Sequence, residues 1–262
     1  MLLVIDIGNS NIVIGVYNKD SLKHKWRLIS DNNKSVDDYA VDIIELFLTE
    51  KIDCLKISGC IIASVVPNLN DKIKKAISKF FSGKILLIGE KNVKLDIKIK
   101  VKNPSEVGAD RIINAIAAYK EFGGNLIVID FGTATTFDVV GAKGEYLGGV
   151  ISPGINLSLK ALHDMTAKLP KIEVKKQKNV IGKNTVEAMN SGVYFGYISL
   201  VEGIIARIDK ELKLKTTKII TGGLAELFKK ELKIKHHKSN LTLDGLRQVY
   251  NNNQKTNLTS LN

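Results

Sequence analysis

The strongest constraint on this chain is that it begins twice. Residues Leu2 to Val16, LLVIDIGNSNIVIGV, line up with Leu126 to Val140, LIVIDFGTATTFDVV, at an offset of 124 residues counted from Asp6 to Asp130. An Asp, a Gly and a following small polar residue fall in register, as do the flanking β-branched positions. Each copy reads as an apolar strand, a polar turn and a return strand. Self-similarity at this scale implies two copies of one supersecondary unit. The bland alternative is a chance pairing, since short apolar hairpins are common.

The rest of the chain fits a duplication. In the first half, strand patterns at Leu2 to Ile7, Ile12 to Tyr17, His24 to Ser30, Ile57 to Ala63 and Ile85 to Ile88 alternate with helical periodicity at Val36 to Thr49 and Asn68 to Phe81. The order is β-β-β-α-β-α-β. Pro104-Ser105-Glu106 then opens a helix from about Glu106 to Glu121, closed by Gly123-Gly124. The second copy continues with a strand at Glu145 to Ile151, a helix opened by Ser152-Pro153 and a long helix from about Thr185 to Leu212. A strand at Lys218 to Thr221 and a helix after Gly222-Gly223 complete it. With 44% hydrophobic and 25% charged residues in 262, an α/β protein of two domains is affordable. The expected domains are 1–116 and 117–250, with 251–262, rich in Asn and Thr, as a frayed tail.

Composition excludes several functions. Cys54 and Cys60 are the two cysteines, and no Cys/His set for zinc or iron–sulfur accompanies them. They read as buried small hydrophobes in a reducing cytoplasm. The opening apolar run is interrupted by Asp6 and preceded by no Lys or Arg, unlike a signal peptide. No stretch approaches the roughly 18 apolar residues of a membrane helix. The charge of +12 and pI near 9.5 raise nucleic acid as a partner. However, the denser lysine stretches, Lys171 to Lys183 and Lys229 to Lys238, hold few aromatics for base stacking, and no helix-turn-helix, RNP or zinc-finger pattern occurs. Neither nucleic acid nor membrane is expected as a partner.

The repeated turns suit a phosphate chain, which needs close backbone approach, donors aimed at it and a carboxylate to hold a metal ion. In the first turn Gly8 allows approach, Asn9, Ser10 and Asn11 supply donors, and Asp6 holds Mg²⁺ directly or through water. In the second, Gly132 and Thr133 act with Asp130. One hairpin from each half would grip a triphosphate in a cleft between the domains. Thr221-Gly222-Gly223, between strand and helix, is a candidate adenosine loop or a plain turn. Asp130-Phe131-Gly132 spells a protein-kinase DFG, but the partner motifs are missing. Gly182-Lys183 and Gly83-Lys84 lack the residues a Walker A ending requires.

Five strings carry a resemblance: DIGNSN at Asp6 to Asn11, NPSEVGADRIINA at Asn103 to Ala115, DFGTATTFD at Asp130 to Asp138, GGVISPG at Gly148 to Gly154, and IGKNTVEAMNSG at Ile181 to Gly192. Together they resemble the type III pantothenate kinases, within the acetate and sugar kinase/Hsc70/actin superfamily of duplicated ribonuclease-H-like (actin-like ATPase) domains. The resemblance implies ATP-dependent phosphorylation of pantothenate to 4'-phosphopantothenate, the first step of coenzyme A biosynthesis. It implies ATP binding by Asp6, Ile7, Gly8, Asn9, Ser10, Asn11, Ile12 and Val13, and by Thr133. A monovalent cation, K⁺ or NH₄⁺, is implied at Asp130, with pantothenate contacts from Gly108, Ala109, Asp110 and Arg111 and from Thr185. Asp110 is implied as proton acceptor. One departure is Val101, where the family commonly has a Tyr that contacts substrate.

Chemistry supports these roles without proving them. Phosphoryl transfer needs mainly positioning and charge neutralisation, so one base suffices. Asp110, after Gly108-Ala109, can take the proton of a primary hydroxyl, although a helix-start Asp also stabilises the macrodipole. Arg111 can pair with the pantothenate carboxylate or be a solvated helix arginine. His163-Asp164 does not read as a dyad, because adjacent helical residues diverge by about 100°. The rivals are another kinase or phosphohydrolase of the superfamily, and a nucleotide-binding regulator without turnover. Finally, the helix Thr185 to Leu212 carries more apolar surface than one sheet face covers, from Val186, Met189, Val193 and Ile198 through Leu200, Val201, Ile204, Ile205 and Ile208. A homodimer built by the second half is expected.

Overall fold

The computed structural model describes residues 1–259, which form two compact units, each on its own mixed sheet. The first unit comprises Met1–Ile97, Asn103–Ala117 and the chain from Thr242 onward; the second comprises Lys98–Lys102 and Ala118–Leu241.

In the first unit, β1 (Leu2–Ile7), β2 (Asn11–Asn18), β3 (Ser21–Ile29), β4 (Gly59–Ser64) and β5 (Ile85–Leu87) lie in the order β3-β2-β1-β4-β5. The first three are antiparallel neighbours, and β4 and β5 add in parallel. Alternation sends Leu3, Ile5, Ile7, Ile12, Ile14 and Val16 to one face. There they meet α1 (Val36–Thr49), through Tyr39, Ile43 and Phe47, and α2 (Pro67–Ser78), through Leu69, Ile73 and Ile77. Ser35 starts α1 with a reciprocal capping box to Asp38, and Pro67 occupies the first position of α2, where a missing N–H costs nothing.

The second unit repeats the plan. Its elements are β6 (Lys98–Ile99), β7 (Leu126–Phe131), β8 (Ala134–Val140), β9 (Glu145–Pro153), β10 (Thr217–Thr221) and β11 (His236–His237), with α4 (Ile155–Asp164), α5 (Thr185–Leu212) and α6 (Ala225–Phe228). α3 (Ala109–Phe122) leads into it from the first unit. Strands β9-β8-β7-β10-β11 reproduce the order and directions of β3-β2-β1-β4-β5, and β6 joins the outer edge in parallel with β9.

The two hairpins are copies with one residue removed. Burial of β1 and β7 follows one pattern at the offset of 124, but β2 from Asn11 matches β8 from Ala134 at 123. Asp6 accordingly faces Val13, while Asp130 faces Thr136. The second turn is one residue shorter, and the return strand shifts with it. A slip without that compensation would turn every side chain of β8 to the wrong face.

The C-terminus departs from expectation. α7 (Leu241–Thr259) was not foreseen, and it covers 251–259 of the segment read as a frayed tail; 260–262 lie outside the described residues. From Thr242 onward it groups with the first unit, not with the second half of the sequence. Contacts unreadable from the Asn-rich sequence explain this. Tyr17 Oη donates to Asp244 at 2.6 Å, and Asn253 both accepts from the Lys94 N–H and donates to the Lys94 carbonyl, each at 2.9 Å. The helix after Gly222-Gly223 is only the four residues of α6. Cys60 is buried as expected, but Cys54 is only half-buried.

Candidate active site

Asp6 and Asp130 occupy equivalent places: each is the one position of its strand that is not buried. The turn after Asp6 closes through the Gly8 N–H to the Asn11 carbonyl at 2.9 Å. Ser30, at the end of β3, pins it from the side, donating Oγ to the Gly8 carbonyl at 2.5 Å and its N–H to the Ser10 carbonyl at 3.2 Å. Nothing local in the sequence marks Ser30 for this role, because it is set by the pairing of β2 with β3. Asn9 and Ser10 are exposed at the tip, and Val13 is half-buried on the Asp6 face. Ile7 and Ile12, expected to bind ATP, are wholly buried in the core of the first unit, so only their main chain remains for a nucleotide.

The turn after Asp130 closes through the Gly132 N–H to the Ala134 carbonyl at 3.1 Å and leaves Thr133 exposed. Two distant glycines make room for it. Gly154, which starts α4, lies so close to the Thr133 carbonyl that no side chain fits between them. Gly222, with φ of +93°, brings its Cα against the Asp130 carboxylate and the main chain of Phe131. A side chain at 222 would collide there and be strained besides. The Thr221-Gly222-Gly223 turn thus borders Asp130. A buried carboxylate on the same strand face, Asp138, was not foreseen; it accepts from Tyr146 Oη at 2.8 Å and from Thr136 Oγ1 at 3.3 Å.

In the first unit, Asp110 stands in the first turn of α3, and its Oδ1 accepts the Arg111 N–H at 2.8 Å. Burial pushes its pKa up, while the Arg111 amide and charge pull it down; burial prevails. Val65 connects Gly108, just before this helix, to the Asp6 turn. Its N–H donates to the Ile7 carbonyl at 3.0 Å, and its Cγ1 lies 3.4 Å from where a Cβ on Gly108 would sit. Folding of the first unit thereby gathers Asp6 to Val13 and Gly108 to Arg111. Asp130, Thr133 and Thr185 belong to the second unit.

Among the described residues no group of three or more His, Cys, Asp and Glu is placed to hold a metal by itself. One carboxylate beside a turn fits Mg²⁺ that arrives on a nucleotide, since that ion keeps phosphate oxygens and waters as ligands. Asp130, in the equivalent place of the second unit, likewise offers one carboxylate beside a turn.

Thr185 lies at the mouth of a cavity of about 680 Å³ within the second unit, lined by Ser152, Ser158 and Tyr197 among mostly apolar residues, with Met189, Val193 and Leu200 of α5. Tyr197 Oη reaches both the Pro153 carbonyl and Ser158 Oγ at 2.7 Å. His163 Nδ1 lies 2.8 Å from the Leu169 carbonyl.

The type III pantothenate kinase family profile matches residues 2–207. A type III pantothenate kinase of Brevibacillus brevis is 48% identical over 255 residues, covering 97% of this chain and 100% of the relative. The chain belongs to the type III pantothenate kinase family. A second member, from Paramagnetospirillum magneticum, is 46% identical over 97% of this chain and 98% of its own length. Among solved structures, a Baf family transcriptional activator of Campylobacter jejuni superposes with a TM-score of 0.60 at 20% identity, covering 97% of this chain and 99% of that one. An activator of 2-hydroxyisocaproyl-CoA dehydratase from Clostridium difficile, solved with bound ADPNP, gives 0.53 at 10%, covering 98% and 97%. At such identities the likeness is one of fold: duplicated ribonuclease-H-like domains, as the two sheets display. Of the five strings noted in the sequence, three form the two turns and the start of α3, and the other two lie in β9 and at the start of α5.

Proposed function

We infer from family membership that this chain catalyses the ATP-dependent phosphorylation of pantothenate in coenzyme A biosynthesis. The observation that supports the residue-level reading is Val65, which bonds to Ile7 and lies beside Gly108, so that the Asp6 turn and the start of α3 are joined in one unit. In this reading Asp6 to Val13 and Thr133 bind ATP, with Ile7 and Ile12 contributing main chain alone. Gly108 to Arg111 hold pantothenate, and Arg111 pairs with its carboxylate. Asp110 accepts the proton of the primary hydroxyl as that oxygen attacks the γ-phosphorus, and ADP leaves. Mg²⁺ near Asp6 and K⁺ or NH₄⁺ near Asp130 would neutralise charge on the phosphates.

A homodimer is the second part of this reading. Ala188, Gly192 and Gly196 follow one another at four-residue spacing along the cavity face of α5, and a Cβ on either glycine would meet nothing within 4 Å. Among the described residues the second unit also holds ten of the fourteen exposed large hydrophobics, Ile151, Met165, Val180 and Ile181 among them. A partner's α5 can approach closely over such a face, and Thr185 would then border pantothenate bound in the partner. No described helix is long and apolar enough to cross a membrane, and we place the reaction in the cytoplasm. The test is turnover of purified protein with ATP against pantothenate and simple sugars, in K⁺ and in Na⁺. Phosphorylation of a sugar instead would favour another kinase of the superfamily, and no turnover at all a regulator.

A further inference from the structure

We propose that Gly108 is a positioning residue for the proton acceptor, its missing side chain being the space that the Asp110 carboxylate occupies. A Cβ on Gly108 would lie 2.6 Å from Asp110 Oδ1 and 3.7 Å from its Cγ. The same Oδ1 accepts the Arg111 N–H at 2.8 Å. One oxygen is therefore seated between the bare Cα of Gly108 and a first-turn amide of α3 that has no carbonyl partner in its own helix. The resemblance implied that Gly108 contacts substrate; the structure fills the space beside its Cα with Asp110.

The backbone at Gly108 is not left-handed, so conformational freedom does not explain the glycine. A methyl group there leaves the main chain as it is and displaces the far end of a flexible side chain, which can turn away at little cost. What is lost is the carboxylate's place and its bond to Arg111. The charged group acting on Asp110 is Arg111 on its own helix; the residue that meets Gly108 from the turn after β4 is the uncharged Val65.

This rests on Asp110 being the proton acceptor, and the experiment separates the two ideas. Steady-state kinetics with ATP, pantothenate, Mg²⁺ and K⁺ are compared for wild type, Gly108→Ala, Asp110→Asn and the double variant, with thermal melting to verify folding. Gly108→Ala should fold, lose roughly tenfold or more in kcat and keep KM for ATP within about twofold. In the double variant kcat should be no lower than in Asp110→Asn, because a residue acting through Asp110 has nothing left to position. Losses that multiply, or a raised KM for pantothenate at unchanged kcat, would return Gly108 to substrate approach and overturn the proposal. An unfolded Gly108→Ala chain would overturn it too, since only the carboxylate is meant to yield. Full turnover by Asp110→Asn would instead remove the reading on which the proposal stands.

Discussion

Asp110 is the residue on which most depends, and its surroundings make two separable predictions. Asp110→Asn should lower kcat by roughly 10²-fold or more with KM for ATP nearly unchanged, because only the proposed proton acceptor is lost. The same change should stabilise the unliganded protein. Burial raises the pKa of this carboxyl in the fold, so its contribution to stability is full below the unfolded value of roughly 4 and is lost as pH rises through the folded one. At pH 7 the ionised group is a burden, and the Asn variant should melt higher; on acidification the two melting curves should converge. A lower Tm for the variant at pH 7 would contradict the direction of the shift. At Asp6, Asp6→Asn should raise KM for Mg-ATP, and unchanged KM and kcat would count against this turn as the phosphate grip. At Asp130, activity should be higher in K⁺ or NH₄⁺ than in Na⁺, which an assay in sodium-only buffer checks. Asp6 and Asp130 were legible in the sequence because a strand-end Asp beside Gly is a local pattern, and Asp110 through the family resemblance, whereas Asp138 was not foreseen. Ser30 and Val65 were not, and the close packing of Gly154 and Gly222 around the Asp130 turn was not either, because what they do is set by chain segments far away in sequence.

At the scale of elements, periodicity located most helices and strands, and α5 was read with the bounds it has. Failures fall where tertiary contacts override local propensity. α7 ends in NNNQKTNLT, residues that favour a helix poorly on their own, yet Asn253 is buried and spans the Lys94 amide and carbonyl. Asn253→Ala should therefore destabilise the protein by about 1–3 kcal/mol by losing buried hydrogen bonds, measurable by urea unfolding. Truncation after Tyr250 should lower Tm as well, whereas a frayed tail would be dispensable. The two-residue strands β6 and β11 carry no pattern of their own and exist only as additions to a formed sheet edge. The repeat itself was visible at an offset of 124, but the shorter second turn was not, because an ungapped match of β-branched residues tolerates a slip that the pleat does not.

At the scale of the whole molecule, the second unit presents an apolar face that its own chain leaves open. Gly192→Glu adds a charge where a side chain meets nothing, so the unit should keep its fold. The proposed dimer should dissociate and KM for pantothenate rise together, as sedimentation and kinetics on one sample can show; dissociation with unaltered kinetics would refute a shared pocket. The central claim is more general, that this chain is a pantothenate kinase whose proton acceptor is Asp110. It is tested most directly by measuring ADP and phosphorylated pantothenate together, from purified wild type and Asp110→Asn with Mg²⁺ and K⁺. The account predicts one phosphorylated pantothenate per ADP from wild type, none from sugars, and a kcat lower by roughly 10²-fold or more in the variant. ADP released without phosphorylated pantothenate, or a variant that turns over like wild type, would contradict it.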